Sequence, residues 1–182
     1  MLDPGPPSKE NRAEGRAVEQ DLRLEIGELL PRLRRFGIAL TKSVADADDL
    51  VQAACERALL RQDQLCHETK IGVWMYAIMR NLWIDEIRAP RSHLHDSIEV
   101  AREMIGDDGE PLTEKSNAWA AVRRALDELP VEQRATLILI CVDGMSYKET
   151  AEILDIPIGR VTSRVARARQ ALHERLAMRS MD

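Results

Sequence analysis

Three arginines near the C-terminal end of the chain recur at a helical spacing: Arg160, Arg164 and Arg167. Residues at i, i+4 and i+7 project from one face of an α-helix. No acidic residue occurs between Asp155 and Glu174 to neutralise their charge. Because a cationic helix face suits a polyanion, the spacing predicts a helix that binds DNA.

The same segment carries an apolar stripe, which lies about 100° around the helix from the arginines at about 100° per residue. Its members are Val161, Val165, Ala168 and Leu172. A shorter helical pattern precedes it, with the small residue Ala151 where two helices must approach closely and Pro157 in the turn between them. Residues 144–169 therefore predict a helix-turn-helix whose second helix enters the DNA major groove.

Two further residues complete the predicted DNA-binding set. The Ser163 hydroxyl lies beside the arginines and suits phosphate oxygens or base edges, and Lys148 lies in the first helix of the motif. An arginine-rich helix face on its own is more often a solvated surface. The turn and the small residue favour DNA binding over that alternative.

Formal charge is distributed unevenly along the 182 residues, although the total is −5. Residues 156–173 contain four arginines and no acidic residue, whereas residues 96–114 contain seven acidic residues and one arginine. Such a chain touches DNA through a limited patch and meets other proteins elsewhere. The acidic stretch also contains Gly106, Gly109 and Pro111, and it predicts a linker.

Catalysis, metal binding and cofactor binding are not expected, because the sequence has no paired carboxylates, nucleophile–base pair or glycine-rich phosphate loop in a plausible pattern. Its three cysteines, Cys55, Cys66 and Cys141, are too few for a disulfide scaffold. Neither Cys66-His67 nor His93-x-His95 has metal-binding spacing. No signal core is present, and no apolar run approaches the ~18 residues of a membrane span. We therefore expect a cytoplasmic protein without membrane insertion.

The hydrophobic pattern is helical from Leu22 onward and predicts an all-α protein of two small domains joined by a flexible acidic linker. Residues 1–20 are expected to form a disordered tail, residues 21–91 the first domain, residues 92–115 the linker, and residues 116–182 a four-helix domain with the helix-turn-helix. Predicted helices cover 22–41, 70–89, 116–128, 131–142, 147–154 and 158–178, and the second helix is predicted to begin near Ala45. Pro31 predicts a kink or break in the first helix, and residues 98–105 form a weak amphipathic piece.

The third predicted helix of the first domain concentrates aromatic residues beside Arg80 and Asn81. Aromatic side chains with such neighbours stack on unpaired bases in proteins that bind single strands. The alternative is that they fill the core of a small domain. We expect Trp74 to be a core residue. Trp83 projects away from the apolar stripe at positions 71, 75, 78 and 82, so we expect it to be exposed.

Together these segments resemble the extracytoplasmic-function (ECF) class of bacterial RNA polymerase sigma factors. Two segments look like the second-region signature of that family. The first is Asp-Ala-Asp-Asp-Leu-Val-Gln-Ala-Ala-Cys-Glu-Arg-Ala-Leu at residues 46–59, and the second is Trp-Met-Tyr-Ala-Ile-Met-Arg-Asn-Leu-Trp-Ile-Asp-Glu-Ile-Arg at residues 74–88. The segment Leu-Asp-Glu-Leu-Pro-Val-Glu-Gln-Arg at residues 126–134, together with the helix-turn-helix that follows it, looks like the fourth region of the family. The resemblance covers about residues 22–178.

The resemblance implies an alternative sigma factor that performs no catalysis. Its first domain would bind core RNA polymerase and open the minus-ten promoter element, and its second would read the minus-thirty-five element. The implied core contacts are Asp46, Asp49, Gln52 and Arg57. The implied minus-ten contacts are Arg80, Asn81, Trp83, Asp85 and Arg88, and the implied minus-thirty-five contacts are Lys148, Arg160, Ser163, Arg164 and Arg167. Core polymerase, promoter DNA and an anti-sigma factor are the implied partners.

Two residues depart from the family pattern. Trp83 replaces the small residue usual after Arg-Asn-Leu, which implies a differently shaped base-contacting loop, and Thr162 stands where many members have a second arginine. Two alternatives stay open. An ordinary helix-turn-helix regulator would bind operators as a dimer, but it leaves the first domain unexplained. A sigma-mimicking module would bind an anti-sigma factor, but it would not need the arginine face of the second helix.

Overall fold

The computed structural model describes residues 9–65, 70–88 and 114–179, and every regular element in these ranges is helical. The helices are α1 (Lys9–Thr41), α2 (Val44–Leu60), α3 (Ile71–Arg88), α4 (Glu114–Asp127), α5 (Val131–Leu137), α6 (Tyr147–Leu154) and α7 (Ile158–Arg179). A short 3₁₀ turn at Gln62–Gln64 follows α2, and a π-helical segment at Ile138–Val142 continues α5. The predicted all-α fold is confirmed.

The N-terminal helix is the element that differs most from its predicted bounds. It begins at Lys9, so residues 9–20, which were expected in a disordered tail, are helical. That stretch is rich in Glu, Arg and Ala, which have high helix propensity, and the prolines of the predicted tail all precede it. Pro31 lies inside α1 without ending it. Residues 1–8, most of the predicted linker and the piece at 98–105 lie outside the described residues.

Capping residues determine where two of the helices begin and where one ends. The Ser43 side chain accepts a hydrogen bond from the Asp46 amide at 3.2 Å, which caps α2. Ser146 and Glu149 form a reciprocal capping box at the start of α6. Asp155 ends α6 with a left-handed backbone, at φ 49°. The tight turn between α6 and α7 follows directly and completes the predicted helix-turn-helix.

Helices α1 to α3 pack as a first unit, and α4 to α7 as a second. In the first unit the rings of Phe36 and Tyr76 meet edge to face, with centroids 5.1 Å apart and planes at 85°. In the second unit Leu129, Leu137 and Ala168 form a buried cluster that connects α5 and the preceding loop with α7. Each unit therefore has buried apolar contacts that hold its own helices together.

The two units also pack against each other. Leu139 and Ile153 of the second unit belong to the same continuous hydrophobic cluster as Met75 and Tyr76 of the first. Helix α6 lies against α3, and α5 lies against α1. We call this contact the unit interface. The sequence predicted two units but not their contact, because periodicity shows which face of a helix is apolar and not what covers it.

Candidate nucleic-acid interface

Helix α7 is seated on the second unit by its apolar stripe. Val161, Val165 and Ala168 are buried, as their spacing predicts. The opposite side of the helix faces outward along its length, from Ile158 to Gln170. A helix anchored on one side and open on the other can enter a groove without disturbing the packing beneath it.

The three predicted arginines lie on the accessible part of α7. Arg160 and Arg167 are exposed, and Arg164 is half-buried. Within the part of the chain that the structure describes, none of these three guanidinium groups has a hydrogen bond or an ion pair. The arrangement therefore presents several unneutralised donors that can bind phosphate oxygens or guanine edges.

Two hydroxyl groups on the exposed side of α7 donate inward. The Thr162 hydroxyl donates to the Ile158 carbonyl at 3.1 Å, and the Ser163 hydroxyl donates to the Gly159 carbonyl at 2.9 Å. Both bonds follow the i to i−4 pattern of helical serine and threonine. In this arrangement the Ser163 oxygen can accept a hydrogen bond from a ligand, whereas donation to a phosphate or base acceptor requires the hydroxyl group to rotate.

Lys148, the remaining predicted contact of the second unit, is exposed on α6. It borders a shallow concavity between α6 and α7, together with Ala151 and Ile158. The lysine therefore lies at the edge of the surface that α7 presents, where it can reach a phosphate beside the groove.

The predicted minus-ten residues lie along the C-terminal half of α3. Asn81, Asp85 and Arg88 are exposed, whereas Arg80 is half-buried. The Arg80 guanidinium donates to the Asn81 side chain at 3.0 Å and lies 3.6 Å from the Asp155 carboxylate in the turn before α7. One member of the predicted set is thus engaged by the other unit.

The predicted exposure of Trp83 is wrong, because its side chain is half-buried and packs against the hydrophobic core. The core-facing side of α3 is centred on Tyr76 and Met79, which are fully buried. Trp83 follows Tyr76 by seven positions and Met79 by four, so it lies on that same side. The predicted stripe was displaced by about one position. Trp74 contacts the core as expected, but it is only half-buried.

The predicted core-polymerase contacts lie on α2. Asp46, Asp49 and Gln52 are exposed, and Arg57 is half-buried. The Gln52 side chain donates to the Glu56 carboxylate at 3.0 Å. The opposite side of α2 is buried in the first unit through Leu50, Ala54 and Ala58, among others. The polar side of the helix is therefore available to another protein.

Sequence reasoning missed Asp143, the residue at the centre of the unit interface. Its side chain is fully buried and follows the π-helical segment. It accepts a hydrogen bond from Arg35 at 2.9 Å and one from the Tyr76 hydroxyl at 2.8 Å, and its backbone carbonyl accepts from Arg32. The sequence signal for this residue is an acidic side chain directly after an apolar run. The same pattern is equally typical of the end of a helix, so it does not predict a buried contact.

Other polar contacts join the two units besides those of Asp143. Lys70 donates to the Glu149 carboxylate at 2.6 Å. This bond, with those from Ser146, lowers the pKa of Glu149 from its ordinary 4.5 to about 2. Arg134 of α5 is buried and donates to the Ala39 carbonyl of α1 at 2.7 Å. Polar contacts therefore join the units at several points besides the apolar core.

Neither a metal site nor a membrane span was found in the described residues. In these ranges no group of three or more His, Cys, Asp or Glu side chains could hold a metal ion. Cys66, His67, His93 and His95 lie outside them. None of the described helices is both long and apolar enough to cross a bilayer.

Two family profiles match separate parts of the chain. One, described as Sigma-70 region 4, matches residues 119–172, and the other, described as the Sigma2 domain of PhyR, matches residues 26–80. The ECF RNA polymerase sigma factor EcfG of Rhodopseudomonas palustris is 35% identical over 156 residues, covering 85% of this chain and 84% of that protein. The ECF sigma factor SigW of Bacillus subtilis is 31% identical over 147 residues, covering 74% and 77%.

Solved structures give a concordant comparison. The sigma factor RpoE of Bartonella quintana, solved in complex with the anti-sigma factor NepR, superposes with a TM-score of 0.67 at 28% identity, covering 87% of this chain and 98% of that one. The anti-anti-sigma factor PhyR of the same organism, complexed with NepR, superposes with a TM-score of 0.54 at 19% identity, covering 84% of this chain and 49% of that one. The latter similarity concerns the fold alone.

Proposed function

The chain belongs to the ECF RNA polymerase sigma factors, and from that premise we propose that α7 reads the minus-thirty-five element of a promoter while α3 binds the melted minus-ten element. As a sigma factor it binds core RNA polymerase and directs transcription initiation. Its curated relatives regulate transcription and are not enzymes. We place its action in the cytoplasm, where polymerase and promoter DNA meet.

The single observation that carries the minus-thirty-five assignment is the state of the α7 arginines. Arg160, Arg164 and Arg167 have no partner among the described residues, while the buried apolar stripe on another side of the helix anchors it to the second unit. Because these guanidinium groups have no hydrogen bond or ion pair to give up, they can bind phosphate oxygens or guanine directly. Few phosphate contacts give modest, salt-dependent affinity, which suits a subunit that works while polymerase holds it.

The end of α3 has the composition that a melted strand requires. Exposed Asn81 and Arg88 can donate to bases and phosphates, and half-buried Trp83 leaves part of its ring accessible for stacking. Trapping unpaired bases there would offset an unstacking cost of a few kcal/mol. On α2, the exposed side with Asp46, Asp49, Gln52 and Arg57 would bind the core enzyme.

Binding both promoter elements requires the units to separate. Two elements centred about 25 base pairs apart are on the order of 80 Å apart along the duplex, at ~3.4 Å per base pair. In the compact arrangement α3 contacts α6, and Arg80 is paired with Asp155. We therefore propose that the compact form is incompatible with promoter binding and that the unit interface opens when polymerase binds. Its opening would free Arg80 for the melted strand.

An anti-sigma factor is the proposed regulator of this chain. The relevant observation is that the similar Bartonella quintana RpoE was solved with the anti-sigma factor NepR. If such a partner binds the compact form more tightly than the open form, its binding shifts the equilibrium towards the compact form. The size of the shift is set by the difference between the two affinities.

Run-off transcription tests the proposed function directly. Core RNA polymerase that lacks any sigma factor would be combined with the full chain and a pool of promoter fragments from the source genome. We expect discrete transcripts that depend on the chain. Binding to DNA without polymerase as a dimer, with no such transcript, would favour an ordinary helix-turn-helix regulator. Anti-sigma binding without transcription would favour a sigma mimic.

A further inference from the structure

Helix α7 carries a second exposed strip that the arginines do not explain. Ile158, Thr162 and Ala166 recur at i, i+4 and i+8, and all three are exposed. Ile158 is a large apolar side chain that is 53% exposed at the first turn of the helix. Burying this side chain against an apolar group would be favourable, so the strip is suited to contact an apolar part of a ligand.

The hydrogen bonds of Thr162 strengthen its apolar character. Its hydroxyl donates to the Ile158 carbonyl at 3.1 Å, so the hydrogen-bond donor of this side chain is already used. What Thr162 offers a ligand is its γ-methyl group and one acceptor oxygen. Together with Ile158 and the Ala166 methyl, it places three exposed aliphatic groups along one side of α7.

The position of the strip relative to the arginines matches the two walls of a major groove. At about 100° per residue, the strip lies roughly 170° around the helix from the mean direction of the three arginines. Gly159 and Ser163, both exposed, lie between them. A helix in the groove would therefore direct its arginines to one strand and this strip to the other. Lys148, beside Ile158, is available for the phosphates on that second side.

We propose that the Ile158–Thr162–Ala166 strip reads the C5-methyl groups of thymines in the minus-thirty-five element, on the strand opposite the one that the arginines contact. The thymine methyl is the only apolar group that base pairs present in the major groove, and alanine and threonine methyls are suitable partners for it. The Thr162 methyl would thus select thymine, whereas guanine is the base that arginine side chains select. This inference rests on the proposed minus-thirty-five role of α7.

Deoxyuridine substitution isolates the methyl group. A promoter that the holoenzyme transcribes would be prepared with the thymines of its minus-thirty-five element replaced by deoxyuridine, one strand at a time. Holoenzyme affinity and run-off yield would be measured with each. We expect affinity to fall by about fourfold for each contacted methyl removed, and only for substitutions on one strand. Equal affinity for both substituted promoters and the unmodified one would overturn the proposal.

Two variants at one exposed position test which side chain is responsible. Thr162→Ser keeps the hydroxyl and removes the methyl, whereas Thr162→Val keeps the methyl and replaces the hydroxyl. We expect Thr162→Ser to lose affinity for the thymine promoter and to become insensitive to deoxyuridine. Thr162→Val should remain sensitive to deoxyuridine substitution. The reverse pattern would show that the hydroxyl is the contact. If the unaltered chain gives no promoter-directed transcript, the proposed function itself fails.

Discussion

The phenolic hydroxyl of Tyr76 donates a hydrogen bond of 2.8 Å to Oδ2 of Asp143. The donor lies in α3, which carries the proposed minus-ten residues, and the acceptor lies in the unit that carries α7. Burial, and then the Asp143 charge, raise the pKa of Tyr76 well above its ordinary value, so the hydroxyl stays protonated and donates. With Arg32 and Arg35 on the same residue, Asp143 joins the two units through three side chains of the first.

Tyr76→Phe removes only the hydroxyl of that contact and keeps the ring against Phe36. Because a buried hydrogen bond to a charged group is worth about 1.5–3 kcal/mol, we expect the variant to shift the free chain towards separated units. The radius of gyration from small-angle X-ray scattering should rise, and core polymerase should bind more tightly, since the competent form is more populated.

A matched control breaks a charged pair within one unit. Arg175 donates to Glu128 at 2.9 Å inside the second unit, and Arg175→Gln should leave the radius of gyration unchanged. If Tyr76→Phe is as compact as the unaltered chain and binds core equally well, the unit interface is not what limits core binding.

Glu149 gives the unit interface a dependence on acid pH. Its pKa falls from 4.5 to about 2 on folding, first through the Lys70 bond and then through the Ser146 bonds. Because folding lowers this pKa, the ionised Glu149 carboxylate stabilises the folded state above pH 4.5. Its contribution to stability disappears as the pH falls through 4.5 towards 2. We expect Lys70→Met to raise the pKa of Glu149 part of the way, because the Ser146 bonds remain. A carboxyl NMR titration measures this, with Lys148→Met as the control for loss of a neighbouring charge. An unchanged pKa in Lys70→Met would contradict the pairing.

The accuracy of the sequence predictions depended on how local each feature is. The stripe of Val161, Val165 and Ala168 was correct because helical periodicity alone determines which side of an isolated helix is apolar. In α3 the apolar residues cover most of the circumference, so their periodicity predicted a core-facing side about one position away from the observed one. For that reason the exposure of Trp83 was predicted wrongly. Asp143 could not be predicted, because its partners lie 67 or more residues away and only the packing of the two units brings them together.

Arg134 joins the C-terminal end of α1 to the loop between α4 and α5, and lysine cannot replace it there. Its Nε donates to the Ala39 carbonyl at 2.7 Å and its Nη1 to the Leu129 carbonyl at 3.1 Å. A single ammonium group cannot reach both acceptors in the geometry of a planar guanidinium. We expect Arg134→Lys to lower the free energy of unfolding by about 1–3 kcal/mol for the carbonyl left without a partner. Urea denaturation measures it. Arg124→Lys, at an exposed position of α4, should change stability by less than about 0.5 kcal/mol, and equal effects of the two would contradict the prediction.

Asp49 tests the proposed core-binding side of α2. It is exposed, so Asp49→Lys reverses a charge without disturbing the packing of the first unit. We expect core polymerase affinity to fall about tenfold, mainly through a slower association rate, while DNA binding by α7 is unaffected. Surface-immobilised core enzyme gives both rates. The control is Glu25→Lys, the same charge reversal at an exposed position of α1; an equal loss in the control would indicate a general charge effect and not a contact.

Arg164 tests whether the arginine side of α7 reads the minus-thirty-five element. Arg164→Ala should lower transcription from promoters that depend on this element by the equivalent of about 1–3 kcal/mol if the guanidinium contacts a base. If it contacts a phosphate, all promoters should weaken similarly, and the slope of log affinity against log salt should fall by about 1. Arg124→Ala removes the same charge from an exposed position of α4 outside the proposed DNA contacts and should change neither quantity. Because Arg164 is half-buried, circular dichroism would verify that the variant is folded. A loss of core binding with unchanged promoter affinity would mean that this side of α7 faces polymerase and not DNA.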